Sequence, residues 1–318
     1  MLRPYSILLL AMVYTSGIHA EMAGATDPAA AVYKIRVKRD GHVADGSAVL
    51  VAPGRLLTAC HVIRSAKSIN AGREETQWEA FPAKADNKHD LCFLYVPELA
   101  AAVPAVIGET ESLQVGEPVS AVGYPRGGKR DTRFGKLNGL HAFDGANVLQ
   151  VSAQFDRGTS GGGLFDTSGR LIGIIGFKAM AGGNFNFALP LAWVGDGFWG
   201  EAAIAADRPQ PEVAFWERPN AERPLFLRAA SLEANREWEG LRSVAEEWVA
   251  TDELNPASWL CLSRTLKKLR HDQAAALAFA HAESLMPSLE PTQNSSVATV
   301  NLPNTTSTSN AAEQPSRQ

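Results

Sequence analysis

Between residues 32 and 191 the chain alternates short apolar runs with clusters of turn-forming residues. The runs at 32–37, 47–51, 56–59, 91–96, 119–122, 148–155, 171–177 and 185–189 predict strands. Pro53-Gly54, Asp86-Asn87, Asp144-Gly145 and Gly182-Gly183-Asn184 break them, because proline and glycine interrupt strands and Asn and Asp favour turns. A parallel α/β sheet would need a crossover helix after most strands, and no such helical period intervenes. The pattern therefore predicts an all-β antiparallel sandwich or barrel.

Past this region the periodicity changes. Residues 199–224 hold Pro209, Pro211, Pro219 and Pro224 and read as a semi-rigid spacer. From 225 to 287 the apolar period is helical. Trp259, Leu262, Leu266 and Leu269 mark one helix and Ala275, Ala278, Phe279 and Ala282 the next, with Arg270-His271-Asp272 as their turn and Pro287 as the stop. This unit resembles a tetratricopeptide repeat, a helical hairpin of about 34 residues. It departs from that pattern at Ser263 and Leu266. A weaker unit precedes it, with Trp238, Leu241, Ala245 and Trp248 on its inner face, and a generic helical hairpin is the alternative for both. The tail at 288–318 is Ser-, Thr-, Asn-, Gln- and Pro-rich and is expected to be disordered. Its Asn294 and Asn304 triplets fit the glycosylation acceptor pattern, which a polar tail supplies by chance.

The one strongly apolar run, 5–14, follows Arg3 and precedes the small residues Ser16, Gly17 and Ala20. It is shorter than the about 20 residues that span a bilayer. Residues 1–20 read as a signal peptide, which makes the protein secreted or periplasmic and leaves no membrane span. With 318 residues, 45% of them hydrophobic, the chain can bury one or two cores without a staple. A formal net charge of −4 provides no basic footprint and argues against nucleic acid as a partner. The expected domains are 30–198, all-β, and 225–287, helical, joined by the 199–224 spacer.

Three segments carry candidate chemistry. The β-type run Leu56-Leu57-Thr58-Ala59-Cys60-His61 ends on a histidine; Asp90 heads the apolar strand Leu91-Cys92-Phe93-Leu94; and Ser160 sits inside Gly158-Thr159-Ser160-Gly161-Gly162. A serine hydroxyl attacks a carbonyl only when an imidazole takes its proton. The imidazole must hold one tautomer, which a buried carboxylate enforces. Backbone N–H groups, here those of Gly158 and Ser160, would receive the oxyanion. The glycines allow the loop unusual dihedrals and a close substrate approach. No cofactor is needed. His42, His61 and His89 fit no zinc-ligand spacing, so no metal is expected. Gly46-Ser47 reads as an early strand turn without a catalytic part.

Taken together, Thr58-Ala59-Cys60-His61, Asp90-Leu91 and Gly158-Thr159-Ser160-Gly161-Gly162, in His, Asp, Ser order, resemble the trypsin-like peptidases, and among them the bacterial Deg/Htr-type serine proteases. Gly123-Tyr124-Pro125, Gly169-Arg170-Leu171-Ile172-Gly173-Ile174 and Phe187-Ala188-Leu189-Pro190 extend the resemblance over about residues 32–195. It implies an all-β double barrel of two six-stranded barrels, with His61 and Asp90 from the first and Ser160 from the second. It also implies a serine endopeptidase acting on protein or peptide substrates. Thr159 replaces the aspartate that precedes the nucleophile in digestive relatives, and no Ile-Val-Gly-Gly segment is present, so zymogen cleavage is not expected. Where Deg/Htr proteins usually carry PDZ domains this chain carries helices, read as a module for a protein partner. Pocket positions carried over by spacing are Gln154, Phe155, Gly176, Phe177 and Ala188; they lack trypsin's carboxylate and favour a small or medium apolar side chain, with Lys178 at the cleft edge.

Of the three cysteines, Cys60 and Cys92 fall next to His61 and Asp90. The reading preferred is two small buried thiols, with a Cys60–Cys92 bridge as the alternative. Cys261 reads as a core residue. The rival to proteolysis is a catalytically idle binding or scaffold protein that keeps the barrels for shape; an esterase or acyltransferase on the same site is a third reading.

Overall fold

The computed structural model describes residues 27–179, 185–195 and 213–286. The expected signal peptide, Gly182-Gly183-Asn184, the spacer up to 212, Pro287 and the 288–318 tail lie outside the described residues.

Strands β1 (Val32–Arg39), β2 (His42–Ala52), β3 (Arg55–Ala59), β4 (Ser68–Arg73), β5 (Thr76–Glu79), β6 (Phe81–Asp86) and β7 (Leu91–Tyr95) form one antiparallel sheet in the order β5-β4-β1-β2-β3-β7-β6. It is a seven-stranded half-barrel, which corrects the six-stranded first barrel that the resemblance implied. Strands β8 (Pro118–Gly123), β9 (Asp131–Phe143), β10 (Ala146–Val151), β11 (Gly163–Phe165), β12 (Leu171–Lys178) and β13 (Asn186–Pro190) close into a barrel in the order β10-β13-β12-β11-β8-β9. The sequence pattern misses β4, β5, β6, β9 and β11. β5 and β6 are largely exposed or half-buried along their length, and β11 is only 3 residues long, so none of these three presents an apolar run.

The register of one strand pair positions half of the site. β3 and β7 are antiparallel with Ala59 opposite Leu91 and Thr58 opposite Cys92. β3 ends at Ala59, where a single helical turn, α1 (Cys60–Ile63), begins. β7 starts at Leu91, so Asp90 immediately precedes it. Antiparallel pairing thus brings His61 and Asp90 to the same end of the sheet, although 29 positions separate them. The Cys60 N–H donates to the Asp90 carbonyl at 3.0 Å. Cys60 and Cys92 form a disulfide with Cα atoms 4.9 Å apart, which corrects the preference for two free thiols. Cys261 is free and buried, as expected.

After the barrel come α2 (Leu225–Ala234), α3 (Trp238–Thr251), α4 (Pro256–Lys268) and α5 (Asp272–Leu285). α3 buries Leu241, Val244, Ala245 and Trp248, the 3–4–7 spacing of a helix face. α4 starts cleanly because the Asn255 side chain accepts from Ala257 N–H at 2.9 Å and Pro256 occupies the first turn. α5 differs from expectation at Phe279, which is 46% exposed and not on the inner face. No helix among the described residues is long and apolar enough to cross a membrane.

The helices do not stand apart from the barrels. The described residues up to Leu285 form one compact unit. A single core cluster runs from Leu171, Phe187 and Leu189 of the second barrel through Phe226 and Leu227 of α2 to Trp248 of α3. His141 of β9 lies flat on Phe226, with ring centroids 4.6 Å apart and planes within 2°. The spacer differs from expectation as well. Ala214 and Phe215 are buried, Phe215 among Phe143, Phe177 and Trp193, and its N–H donates to the Lys88 carbonyl at 3.0 Å. Aromatic burial outweighs the extended tendency that the prolines suggested.

Candidate active site

Asp90 is fully buried and stands at φ +62°, the left-handed region that Asp tolerates better than most side chains. Its Oδ1 accepts the His61 backbone N–H at 2.8 Å and its Oδ2 accepts His61 Nδ1–H at 2.6 Å. A carboxylate can only accept, so this bond puts the ring proton on Nδ1 and leaves Nε2 with its lone pair. Oδ2 also accepts the indole Nε1–H of Trp216 at 3.1 Å. Burial alone would depress the His61 pKa, but the charge of Asp90, its hydrogen bond and the charge of Glu217 together hold it above the ordinary 6.5, against a smaller opposing effect of Arg64.

The loop at 156–162 is tied to the first sheet through Ser47, which is fully buried in β2. Ser47 N–H donates to the Ser160 carbonyl at 2.9 Å and Ser47 Oγ–H to the Gly158 carbonyl at 2.7 Å. Ser47 Oγ accepts from Tyr124 N–H at 2.9 Å, and the Ser47 carbonyl accepts Thr58 Oγ1–H at 2.6 Å. Gly161 N–H donates to the Ile175 carbonyl at 2.7 Å, which sets the loop on β12. Gly158 and Gly161 stand at φ +93° and +84°. A Cβ on Gly161 would lie 2.1 Å from the Ser47 carbonyl, so only glycine lets the loop come this close to β2 and β3. Ser160 itself is half-buried.

Of the candidate pocket residues, Phe155 and Ala188 fall in one buried cluster of the second barrel. Gln154 and Phe155 line a narrow crevice with Ala121, Thr159 and Ile175. Asp131 and Asp156 also line it, although the sequence reading placed no carboxylate there, and Asp131 is paired with Arg133 at 2.6 Å. Ala188 is core, and a Cβ on Gly176 would meet Leu189. Phe177 faces elsewhere, stacking on Trp216 at 4.7 Å, and the two line a second crevice with Lys178 and Glu217.

The sequence reading took Gly46-Ser47 for a strand turn, whereas both lie inside β2 and Ser47 holds the Gly158 carbonyl, and it passed over Trp216, Glu217 and Arg64. Arg64 and Glu217 form a two-bond ion pair at 3.0 and 2.6 Å just past α1. The available signal was the adjacent Phe215-Trp216 pair, an aromatic cluster that a spacer has no need of. Among the described residues no cluster of His, Cys, Asp and Glu is arranged to hold a metal.

Comparison with known proteins agrees with this architecture. Residues 46–174 match the family described as trypsin-like peptidase domain. The chain is 32% identical over 159 residues to the periplasmic pH-dependent serine endoprotease DegQ of Escherichia coli, covering 46% of this chain and 34% of that protein. It is 23% identical over 183 residues to serine protease Rv3671c of Mycobacterium tuberculosis, covering 54% of this chain and 46% of that protein. The chain therefore matches less than half the length of either relative. The crystal structure of the Rv3671c protease in its active form shares the fold, with a TM-score of 0.51 at 24% identity over 67% of this chain and 98% of that one. Residues 46–174 are thus a trypsin-like peptidase domain, homologous to the Deg/Htr-type serine proteases.

Proposed function

We propose that the protein is a serine endopeptidase working by acyl transfer, with Ser160 as nucleophile, His61 as general base and Asp90 as the carboxylate that orients it. The observation that carries this reading is the bond from His61 Nδ1–H to the fully buried Asp90 at 2.6 Å, which leaves Nε2 free to take a proton. Ser160 attacks the scissile carbonyl and gives its proton to His61. The Gly158 and Ser160 N–H groups hold the oxyanion, His61 returns the proton to the leaving amine, and water then cleaves the acyl-enzyme. The crevice at Gln154 and Phe155 is narrow and supports a small side chain on the acyl side of the cut. The Cys60–Cys92 bridge supports export to an oxidising compartment, secreted or periplasmic. The paired helices, read as tetratricopeptide-like, offer a surface for a protein partner.

The test is labelling of the full-length protein with a fluorophosphonate probe, wild type against Ser160→Ala, followed by turnover of a peptide library and of small acyl esters. Labelling lost in the variant, with peptide cleavage, supports the reading. Equal labelling, or none in either, makes the protein an idle scaffold, and turnover of esters alone makes it an esterase.

A further inference from the structure

Asp90 has a hydrogen bond that neither sheet supplies. Its Oδ2 accepts from His61 Nδ1–H at 2.6 Å and also from the indole Nε1–H of Trp216 at 3.1 Å. Trp216 lies beyond the second barrel, in the stretch that precedes α2. It is held firmly there. Its ring stacks on Phe177, 4.7 Å away and within 9° of parallel, and meets the His61 ring edge-on at 5.4 Å and 84°. On one side Phe215 is buried and its N–H is bound to the Lys88 carbonyl. On the other side Glu217 grips Arg64, the residue that ends α1. An indole offers a single donor and no acceptor, and packing alone would not aim that donor at a buried carboxylate oxygen.

We propose that Trp216 is a positioning residue for the His61–Asp90 pair, fixing the rotation of the Asp90 carboxylate from a segment that lies outside both barrels. This inference rests on the proteolytic reading of His61, Asp90 and Ser160. Two donors on one carboxylate oxygen share its negative charge. Without the indole N–H the full charge falls to His61 Nδ1–H, which favours the imidazolium. The carboxylate also loses one of the bonds that fix its plane, so His61 spends less time in the productive orientation. The charged groups facing His61 are Asp90, Glu217 and Arg64, and a change confined to the indole leaves all of them in place.

The experiment uses the full-length chain with Trp216→Phe and, separately, with benzothienylalanine at position 216, which keeps the bicyclic ring and replaces the N–H by sulfur. NMR titration of the His61 imidazole is read beside kcat and KM on a peptide substrate. In both variants His61 is expected to titrate at higher pH than in the wild type, with kcat about tenfold lower and KM nearly unchanged. A wild-type titration with benzothienylalanine, or a rise in KM alone, would show a packing or substrate contact and overturn the proposal. The titration needs no turnover, so it decides the role of Trp216 even where Ser160-dependent labelling fails and the protease reading falls.

Discussion

Asp90 reaches His61 from a backbone conformation that most side chains avoid, at φ +62°, with its carboxylate 2.6 Å from the imidazole Nδ1. Asn is the other side chain that accepts this conformation readily, so Asp90→Asn tests the charge without straining the turn. The amide can present an N–H where the carboxylate accepted, which favours the wrong imidazole tautomer. Turnover of peptide substrate should fall about 10⁴-fold. The melting temperature should move by only a few degrees, and a variant that keeps wild-type turnover would remove Asp90 from the mechanism.

The Cys60–Cys92 disulfide closes a loop with a sequence separation of 32 that contains β4, β5 and β6. In the chain-entropy account such a loop contributes about 3–4 kcal/mol by restricting the unfolded state. The Cys60→Ala/Cys92→Ala double variant should unfold at correspondingly lower denaturant, with β4–β6 the first region to exchange amide hydrogens. Unchanged unfolding midpoints in oxidising and reducing buffer would contradict the bond.

The legible parts of the sequence were those where local chemistry and tertiary role coincide. The runs 56–59 and 91–96 are apolar because β3 and β7 lie in the buried centre of the sheet, and His61 and Asp90 stand out as polar ends on those runs. The glycines around Ser160 were legible because their conformations are local. Ser47 was not, since a buried serine inside a strand looks like any small residue until its four bonds to Thr58, Tyr124, Gly158 and Ser160 are seen. Trp216 was hidden differently. Four prolines between 199 and 224 signal an extended spacer, and nothing in a linear pattern says that the chain turns its aromatic pair onto the site. The pocket was harder to read, because spacing from Ser160 cannot show that Phe177 turns to Trp216 while Phe155 and Ala188 share a buried cluster.

Two histidines pull stability in opposite directions with pH. His141 is buried beneath α2, and that burial, against its bond to Gln150, pushes its pKa down to about 4. The unfolded chain takes up this proton near 6.5 and the folded chain resists it, so the stabilisation is present above 6.5 and is lost as pH falls toward 4. His89 is different. Burial would lower its pKa, but its bonds to Asp86 at 2.6 Å and Asp144 at 2.7 Å, with their charges, raise it. Its contribution is present below 6.5 and is lost as pH rises through the elevated folded value. Urea unfolding at pH 7 and pH 5 should show the wild type losing about 2 kcal/mol relative to His141→Leu on acidification. Relative to His89→Gln, the wild type should gain on the same change. Parallel pH curves for wild type and both variants would refute this assignment.

Gly161 and Gly145 share a left-handed backbone, at φ +84° and +79°, but not a neighbourhood. A Cβ on Gly145 would meet nothing within 4 Å. On Gly161 it would lie 2.1 Å from the Ser47 carbonyl and 2.3 Å from Thr58 Oγ1, both held by hydrogen bonds and unable to yield. Gly145→Ala should therefore cost only the conformational penalty, about 1–2 kcal/mol. Gly161→Ala adds a clash with backbone and should exceed 3 kcal/mol, roughly the upper range for a single substitution. The lever for relief is the loop itself, which would swing off β2 and take Ser160 with it. Fluorophosphonate labelling of Gly161→Ala should then be about 100-fold slower, the scale of losing a fixed oxyanion donor, while Gly145→Ala labels like the wild type. Equal labelling of the two variants would mean that the contact between the Ser160 loop and Ser47 does not hold the nucleophile in place.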